Sequence, residues 1–243
     1  MIDSLKLENW VYSEFFDVPT DVELDPAVEE LETYIDEIRL QEHPFFSSAM
    51  ADVEALRLWV SQELVMTNAF SQIVLSAASA IQNVHLRAVL AEVAYGEHGA
   101  LKGSKAAKSH PWLLNQLRDS LNISPEEVRP MPPTVRFVER LVHFLDDPLT
   151  AVAAIGVGNE RLIIPEYTAV RKCFSNLLPN AVFQPFLDAN TTEDIVHSRL
   201  CYEAASRMIA LSNGNSRKLY LEAGKSSIDS RVKYFDELAE MID

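Results

Sequence analysis

Apolar residues return at intervals of three and four along most of the chain, which predicts helices. Val28, Leu31, Tyr34, Ile35 and Ile38 recur between acidic residues after Asp25-Pro26, an amphipathic first helix. A turn at His43-Pro44 precedes a long helical pattern from about Asp52 to Ile81, and Val84, Leu86, Val89, Leu90 and Val93 mark a third helix. The glycine-bearing stretch from Gly96 to Ser109 reads as a loop. Helix resumes at His110-Pro111-Trp112-Leu113-Leu114 and stops near Asn122. In Ile123-Ser124-Pro125-Glu126-Glu127, Ser124 reads as an N-cap with Pro at N1 and Glu at N3, before an extended linker from Arg129 to Pro133. Val135, Phe137, Val138, Leu141, Val142 and Leu145 mark the next helix. A strongly apolar one follows from Leu149 to about Leu178, then two more over about Val182 to Leu211 and Ser216 to Ile242. No stretch alternates with period two for long enough to make a sheet. The expected fold is all-α: one domain over residues 1–243, a bundle of about eight helices, with residues 1–24 a polar N-terminal segment.

Composition narrows the class of function. At 243 residues and 48% apolar, the chain can bury one good core, and with only seven glycines and no short repeat it is neither a disordered chain nor a solenoid. Its 36 acidic against 21 basic residues, a net charge of −15, repel phosphate backbones and anionic lipid heads, which argues against nucleic-acid and membrane partners. The start, Met1-Ile2-Asp3-Ser4, lacks a signal-peptide pattern, and the apolar run Leu149 to Gly158 is too short to cross a bilayer. Two distant cysteines, Cys173 and Cys201, read as buried thiols in a reducing, cytoplasmic compartment.

Charged residues inside apolar stretches carry the candidate chemistry. The segment from Leu149 to Pro165 is apolar on nearly every face until Glu160, so that carboxylate needs Arg161, another cation or a metal. Pro165, a turn later, removes a backbone donor and can bend the helix. On the following helix Asn190, Asp194 and His197 fall within about 60° of one another, a face on which i and i+3 side chains converge on one ion. An Asp and a His at that spacing also occur by chance on solvated faces. Glu92, flanked by apolar residues before the glycine loop, and His110, beside Pro111 and Trp112 after it, are further candidates, with Glu97-His98 the rival pair in the loop. Glu63 lies on a core-facing stripe with Trp59, Met66 and Phe70, as an extra ligand or catalytic group, or as a buried Glu bonded to a Tyr, Trp or Arg.

Taken in chain order, these segments resemble the haem-oxygenase-like diiron oxidases, relatives of the TenA and pyrroloquinoline-quinone synthase proteins. That family shows a Glu ending one helix, a Gly-containing loop, a His before a Leu-rich helix and a Pro-Glu-Glu turn. Here stand Glu92, Gly96 to Gly103, His110 to Leu114 and Pro125-Glu126-Glu127. A buried small-residue helix with Glu then Pro follows, matched by Ala153 to Pro165 with Glu160. The family's His-x-x-x-Asp-x-x-His is here Asn190-x-x-x-Asp194-x-x-His197.

The resemblance implies a haem-oxygenase-like bundle that activates dioxygen at two Fe(II) ions to oxidise a small metabolite of the amino acid, amine or fatty acid class. It implies Glu160 as the bridge, Glu92 and His110 toward one metal, and Asp194 and His197 toward the other. Asn190 replaces an imidazole with a poorer ligand, which leaves one ion weakly held. Glu193, about 40° from His197 around the helix, or Glu63 on its own helix, are the candidate substitutes. Asn190 also keeps open a metal-free enzyme or binder of the TenA or pyrroloquinoline-quinone synthase type, although neither cysteine stands out as its nucleophile. A non-catalytic helical interaction protein and a haem oxygenase using His43 as proximal ligand complete the alternatives. Leftover apolar faces leave a homodimer open.

Overall fold

The computed structural model describes residues 23–50, 52–99, 101–102, 105–106, 108–212 and 214–242, so most of the expected N-terminal polar segment lies outside the described residues. The α-helices among them are α1 (Pro26–Ile38), α2 (Pro44–Ala49), α3 (Val53–Ala80), α4 (Val84–Glu97), α5 (His110–Ser120), α6 (Pro132–His143), α7 (Pro148–Ile155), α8 (Ile163–Leu177), α9 (Asn180–Leu211) and α10 (Ser216–Ala239). α7 and α8 are halves of one broken helix, and α2 is a single short turn. The remaining rods form the all-α bundle that the periodicity predicts. An antiparallel pairing of Leu101–Lys102 with Lys105–Ala106 lies within the predicted loop. Among the described residues no helix is long and apolar enough to cross a membrane.

Local chemistry sets the helix starts. Asp25, Asp52, Asn83 and Asp147 each turn a side-chain oxygen onto the first free N–H groups of α1, α3, α4 and α7, and Pro26 and Pro148 supply the fixed φ of a first turn. Ser124 departs from expectation. Its N–H donates to Oε2 of Glu127 at 2.7 Å, one half of a capping box, but Pro125-Glu126-Glu127 makes only an isolated turn. Pro130, Pro132 and Pro133 follow at once and lack the donors a helix would need to continue. The third predicted helix also runs further than its apolar periodicity suggests: α4 continues through Gly96 to Glu97.

The central rod runs through the core. Ala151 to Glu160 is buried without interruption, packed by α9 on one side and α10 on another. Between α7 and α8 the backbone widens into a π-helical segment, Gly156–Arg161, in which the N–H of Leu162 donates to the carbonyl of Val157, five residues back, at 3.3 Å. Pro165 has no N–H to return to the carbonyl of Arg161, so the strict i→i−4 ladder is already broken here. The bend expected from Pro165 is thus a π segment carrying Glu160.

Close approach of α10 depends on Gly158. A Cβ there would stand 1.9 Å from Oγ and 2.3 Å from Cβ of Ser227, which is fully buried. The better helix propensity of Ala is worth only about 1 kcal/mol, less than the cost of overpacking a fully buried contact this close.

Buried charge ties the bundle together across α3, α8 and α10. Arg231 of α10, 1% exposed, donates through Nε to Oε2 of Glu166 at 2.9 Å and through Nη2 to Oε1 of Glu166 at 2.6 Å and Oε2 of Glu63 at 3.1 Å. Tyr167 Oη donates to Oε1 of Glu63 at 2.8 Å and Trp59 Nε1 to Oε1 of Glu166 at 3.3 Å. Burial, offset by Arg231, pushes the Glu166 carboxyl up to about 7.

Two substitutions test this packing. Gly158→Ala is expected to lower stability by about 1–3 kcal/mol in thermal unfolding, and Gly158→Ala with Ser227→Gly to recover most of it. Arg231→Met, which leaves two carboxylates buried without their cation, is expected to cost about 3–5 kcal/mol in urea unfolding. Adding Glu63→Gln and Glu166→Gln should restore much of that loss.

Candidate metal centre

Glu160, at the end of the π segment, is 1% exposed, and no basic neighbour in sequence serves it. Arg161 turns the other way: its Nε donates to both carboxylate oxygens of Glu32 on α1 at 2.9 and 2.8 Å, and the hydroxyl of Tyr202 donates to the same carboxylate. The ion pair that would explain Glu160 as an ordinary buried charge goes to Glu32 instead. What faces Glu160 is α9. One ligand atom each of Glu160, Asp194 and His197 lie within 4.8 Å of one another, and all three residues are buried. The helical face read from the spacing is thus turned inward as expected.

His110 stands at the first turn of α5, 1% exposed. Its Nδ1 meets Oε1 of Glu97 at 3.1 Å, and its Nε2 lies 3.4 Å from Oε2 of Glu193. The carboxylate contributed by α4 is therefore Glu97, 4% exposed, rather than Glu92, which faces solvent. The two are about 140° apart around a helix, so only one can face inward. The apolar neighbours of Glu92 gave no sign of which. The glycines at 96 and 99 predict a loop around Glu97, yet Gly96 is helical and required. A Cβ at Gly96 would stand 2.7 Å from Cε1 and 2.9 Å from Nε2 of His197, and 3.0 Å from Oε2 of Glu193. His98, the rival histidine, is exposed, and its Nδ1 lies 2.6 Å from the Ala94 carbonyl oxygen.

Glu63 lines the cavity beside Glu160 but is held by Tyr167 and Arg231, the bonded arrangement that the sequence left open. Asn190 is 4% exposed and lines the same cavity, its Nδ2 donating to the Phe186 carbonyl at 2.8 Å. The cavity measures about 20 Å³ to the centre of a water-sized sphere, room for one or two small ions or waters. Met66, Phe70 and Ile163 form its apolar wall.

The electrostatics are those of a site built around a cation. Both oxygens of Glu160, Oδ2 of Asp194, Nδ1 of His197 and Nε2 of His110 are buried without a hydrogen-bond partner. Such orphaned groups are rare and costly in a folded protein. Burial drives the Glu160 carboxyl upward, His197 opposing it, and burial with the nearby Glu160 drives Asp194 well above the carboxylate range. Burial disfavours charge on His110, but Glu97 and Glu193 prevail and raise it to about 10. Burial opposes charge on His197 too, and Glu160 outweighs it. His197 Nδ1 lies 3.4 Å from Oε2 of Glu160, the same separation as between His110 and Glu193. A charge-assisted N–H···O bond closes to about 2.7–2.9 Å. Two donor atoms each about 2.1 Å from one ion, at tetrahedral or octahedral angles, stand about 3.0–3.4 Å apart. The donor set of carboxylates and imidazoles thus fits a divalent metal such as iron.

Comparison with known proteins agrees. The fold is shared with a CADD-like protein of unknown function from Nostoc punctiforme, 17% identical with a TM-score of 0.70, covering 89% of this chain and 99% of the other. A domain of unknown function with a heme oxygenase-like fold from Shewanella denitrificans is 14% identical with a TM-score of 0.68, covering 89% and 91%. A TenA family transcription regulator from a Silicibacter species is 12% identical with a TM-score of 0.61, covering 88% and 96%. No curated protein matches the sequence. The profile of the iron-containing redox enzymes matches residues 57–226, a stretch that holds every residue of the buried centre, and the chain belongs to that family.

Proposed function

We propose that this protein is a nonhaem iron-dependent oxidase or oxygenase that uses dioxygen to oxidise a small metabolite, of the amino acid, amine or fatty acid class. The observation that carries the reading is the convergence of buried donor atoms of Glu160, Asp194 and His197 within 4.8 Å of one another, where Glu160, Asp194 and Glu97 line one small cavity. Glu160, Asp194 and His197 would hold one iron, and His110 with the α4 carboxylate Glu97 would contribute on the other side. Bound iron would supply the electrons and open coordination positions that reduce dioxygen, which no side chain of the chain supplies.

The protein's own groups prepare that site. With a metal bound, Glu97 accepting from Nδ1 of His110 would fix the tautomer that offers the Nε2 lone pair to the ion. The π segment aims the Glu160 carboxylate into the cavity, and the clamp of Arg161 and Tyr202 on Glu32 holds that segment from its outer side. Met66, Phe70 and Ile163 exclude water from the donor atoms. Tyr167 presents a hydroxyl already committed to Glu63, whose second oxygen is neutralised by Arg231, so this wall adds no free charge.

A metal-free enzyme or binder of the TenA type is the second reading, favoured by Asn190 and by the likeness to a TenA family regulator. A thiol nucleophile does not support it. Cys173 hydrogen-bonds the Phe46 carbonyl, and burial raises the Cys173 thiol to about 11 and the Cys201 thiol well above its usual value. An additional partner, including a second copy of the chain, belongs to the same proposal without a residue to carry it.

Anaerobic loading with Fe(II), desalting and elemental analysis is expected to find iron at more than one ion per chain, with a transient visible absorption on adding oxygen. Glu160→Ala should abolish the transient, and a wild-type chain without iron or transient would overturn the reading. The raised carboxyl of Asp194 has a second consequence. A carboxylate whose folded value exceeds its unfolded one destabilises the protein as pH rises above the ordinary carboxylate range, and the penalty fades on acidification. Asp194→Asn is therefore expected to stabilise the metal-free protein by about 1 kcal/mol at pH 7.5 in urea unfolding, and by less at pH 5. The same variant should bind less iron.

A further inference from the structure

The four residues Asn190, Glu193, Asp194 and His197 form one i, i+3, i+4, i+7 stripe on α9, about 100° wide. Its two edges, Asp194 and Glu193, have different surroundings. Toward the Asp194 edge Asn190 lines the cavity with Met66, Thr67 and Tyr167, and its amide is already tied to the Phe186 carbonyl. Such a side chain offers an ion only a neutral carbonyl oxygen, a weak donor for iron beside imidazole or carboxylate. At the other edge Glu193 reaches Oε2 to 3.4 Å from Nε2 of His110, the buried nitrogen left by the contact of Nδ1 with Glu97. Oε2 of Glu193 and Nε2 of His197 also crowd the same point beside Gly96, at 3.0 and 2.9 Å, where any residue but glycine would drive them apart.

Resting on the iron reading, we propose that Glu193 is a direct metal ligand that takes over the place Asn190 has left, so that the second ion is held from the His110 and Gly96 side of α9. Three features of the chain support this. The separation of Glu193 from His110 is that of two donors sharing an ion and is too long for a charge-assisted hydrogen bond. Gly96 keeps the space in which Glu193 and His197 approach α4. Glu97, Glu160, Glu193 and Asp194 together carry four negative charges, so two divalent ions give a neutral cluster in a buried setting, where the arrangement with histidine at 190 and no Glu193 would leave a net positive charge. Asn190 is then a polar wall of the cavity and not a ligand.

The test is metal stoichiometry, read without turnover. The full-length chain is stripped with a chelator, titrated anaerobically with Fe(II) and in parallel with Mn(II), and followed by calorimetry, elemental analysis and Mn(II) electron paramagnetic resonance. The wild-type chain should bind two ions. Glu193→Gln should lose one ion or weaken it at least tenfold, Asn190→Ala should keep both, and Asn190→His combined with Glu193→Gln should regain the second. Thermal unfolding of the metal-free variants checks that each folds, and the double variant serves where Glu193→Gln alone does not. Glu193→Gln binding both ions as the wild type does overturns the proposal and leaves the iron reading standing, as does Asn190→Ala losing as much as Glu193→Gln. A wild-type chain that binds neither Fe(II) nor Mn(II) overturns both.

Discussion

A buried carboxylate with no arginine or lysine paired to it governs this structure. Glu160 sits at the end of the longest uninterrupted buried stretch among the described residues, and ionising it there costs several kcal/mol, roughly, unless something positive stands beside it. The adjacent Arg161 is directed to Glu32, which Tyr202 also holds, and His197, Asp194 and a small cavity surround the glutamate instead. The π segment makes this orientation possible. One residue more than an α turn shifts the phase of the helix at Glu160, and the small residues around it let α9 and α10 come close enough to bring Asp194 and His197 to the same place.

The same core holds a second set of buried charges in the opposite condition. Arg231, Glu166, Glu63, Tyr167 and Trp59 satisfy one another through hydrogen bonds of 2.6 to 3.3 Å. By contrast, both oxygens of Glu160, Oδ2 of Asp194, Nδ1 of His197 and Nε2 of His110 remain without a hydrogen-bond partner. Both sets are built from buried charged side chains in one bundle, and only one leaves donor atoms without hydrogen-bond partners. A completed network rigidifies a core, while an incomplete one marks the place where a ligand is expected. The completed set also forms a firm wall against which the incomplete one is held.

Scaffold alone does not assign chemistry. Proteins 12 to 17% identical share this bundle, and their names range from a heme oxygenase-like domain of unknown function to a TenA family regulator. The family membership speaks for iron and redox chemistry, and the donor atoms of this chain fit it. The small cavity, the apolar wall of Met66, Phe70 and Ile163, and the amides of Asn159 and Asn190 define the space next to the candidate ligands.

Much of this could be read from the sequence. Helical periodicity, capping residues and the absence of alternating stretches determined an all-α bundle, because each depends on contacts between residues three or four apart. Glu160, Asp194 and His197 were legible for the same reason: a charge inside an apolar run and an i, i+3 pair show in the local pattern. Choices between residues on opposite faces of one helix end were decided only by tertiary structure. Glu97 and not Glu92 faces inward because α4 continues through Gly96, and that glycine is accommodated by His197 and Glu193, about a hundred residues away. The destination of Arg161 and the bonding of Glu63 to Tyr167 and Arg231 likewise depend on partners on other helices. A local pattern shows which face of a helix is apolar, but not which distant side chain meets a charge on it, and that meeting sets whether the charge is neutralised or left for a metal.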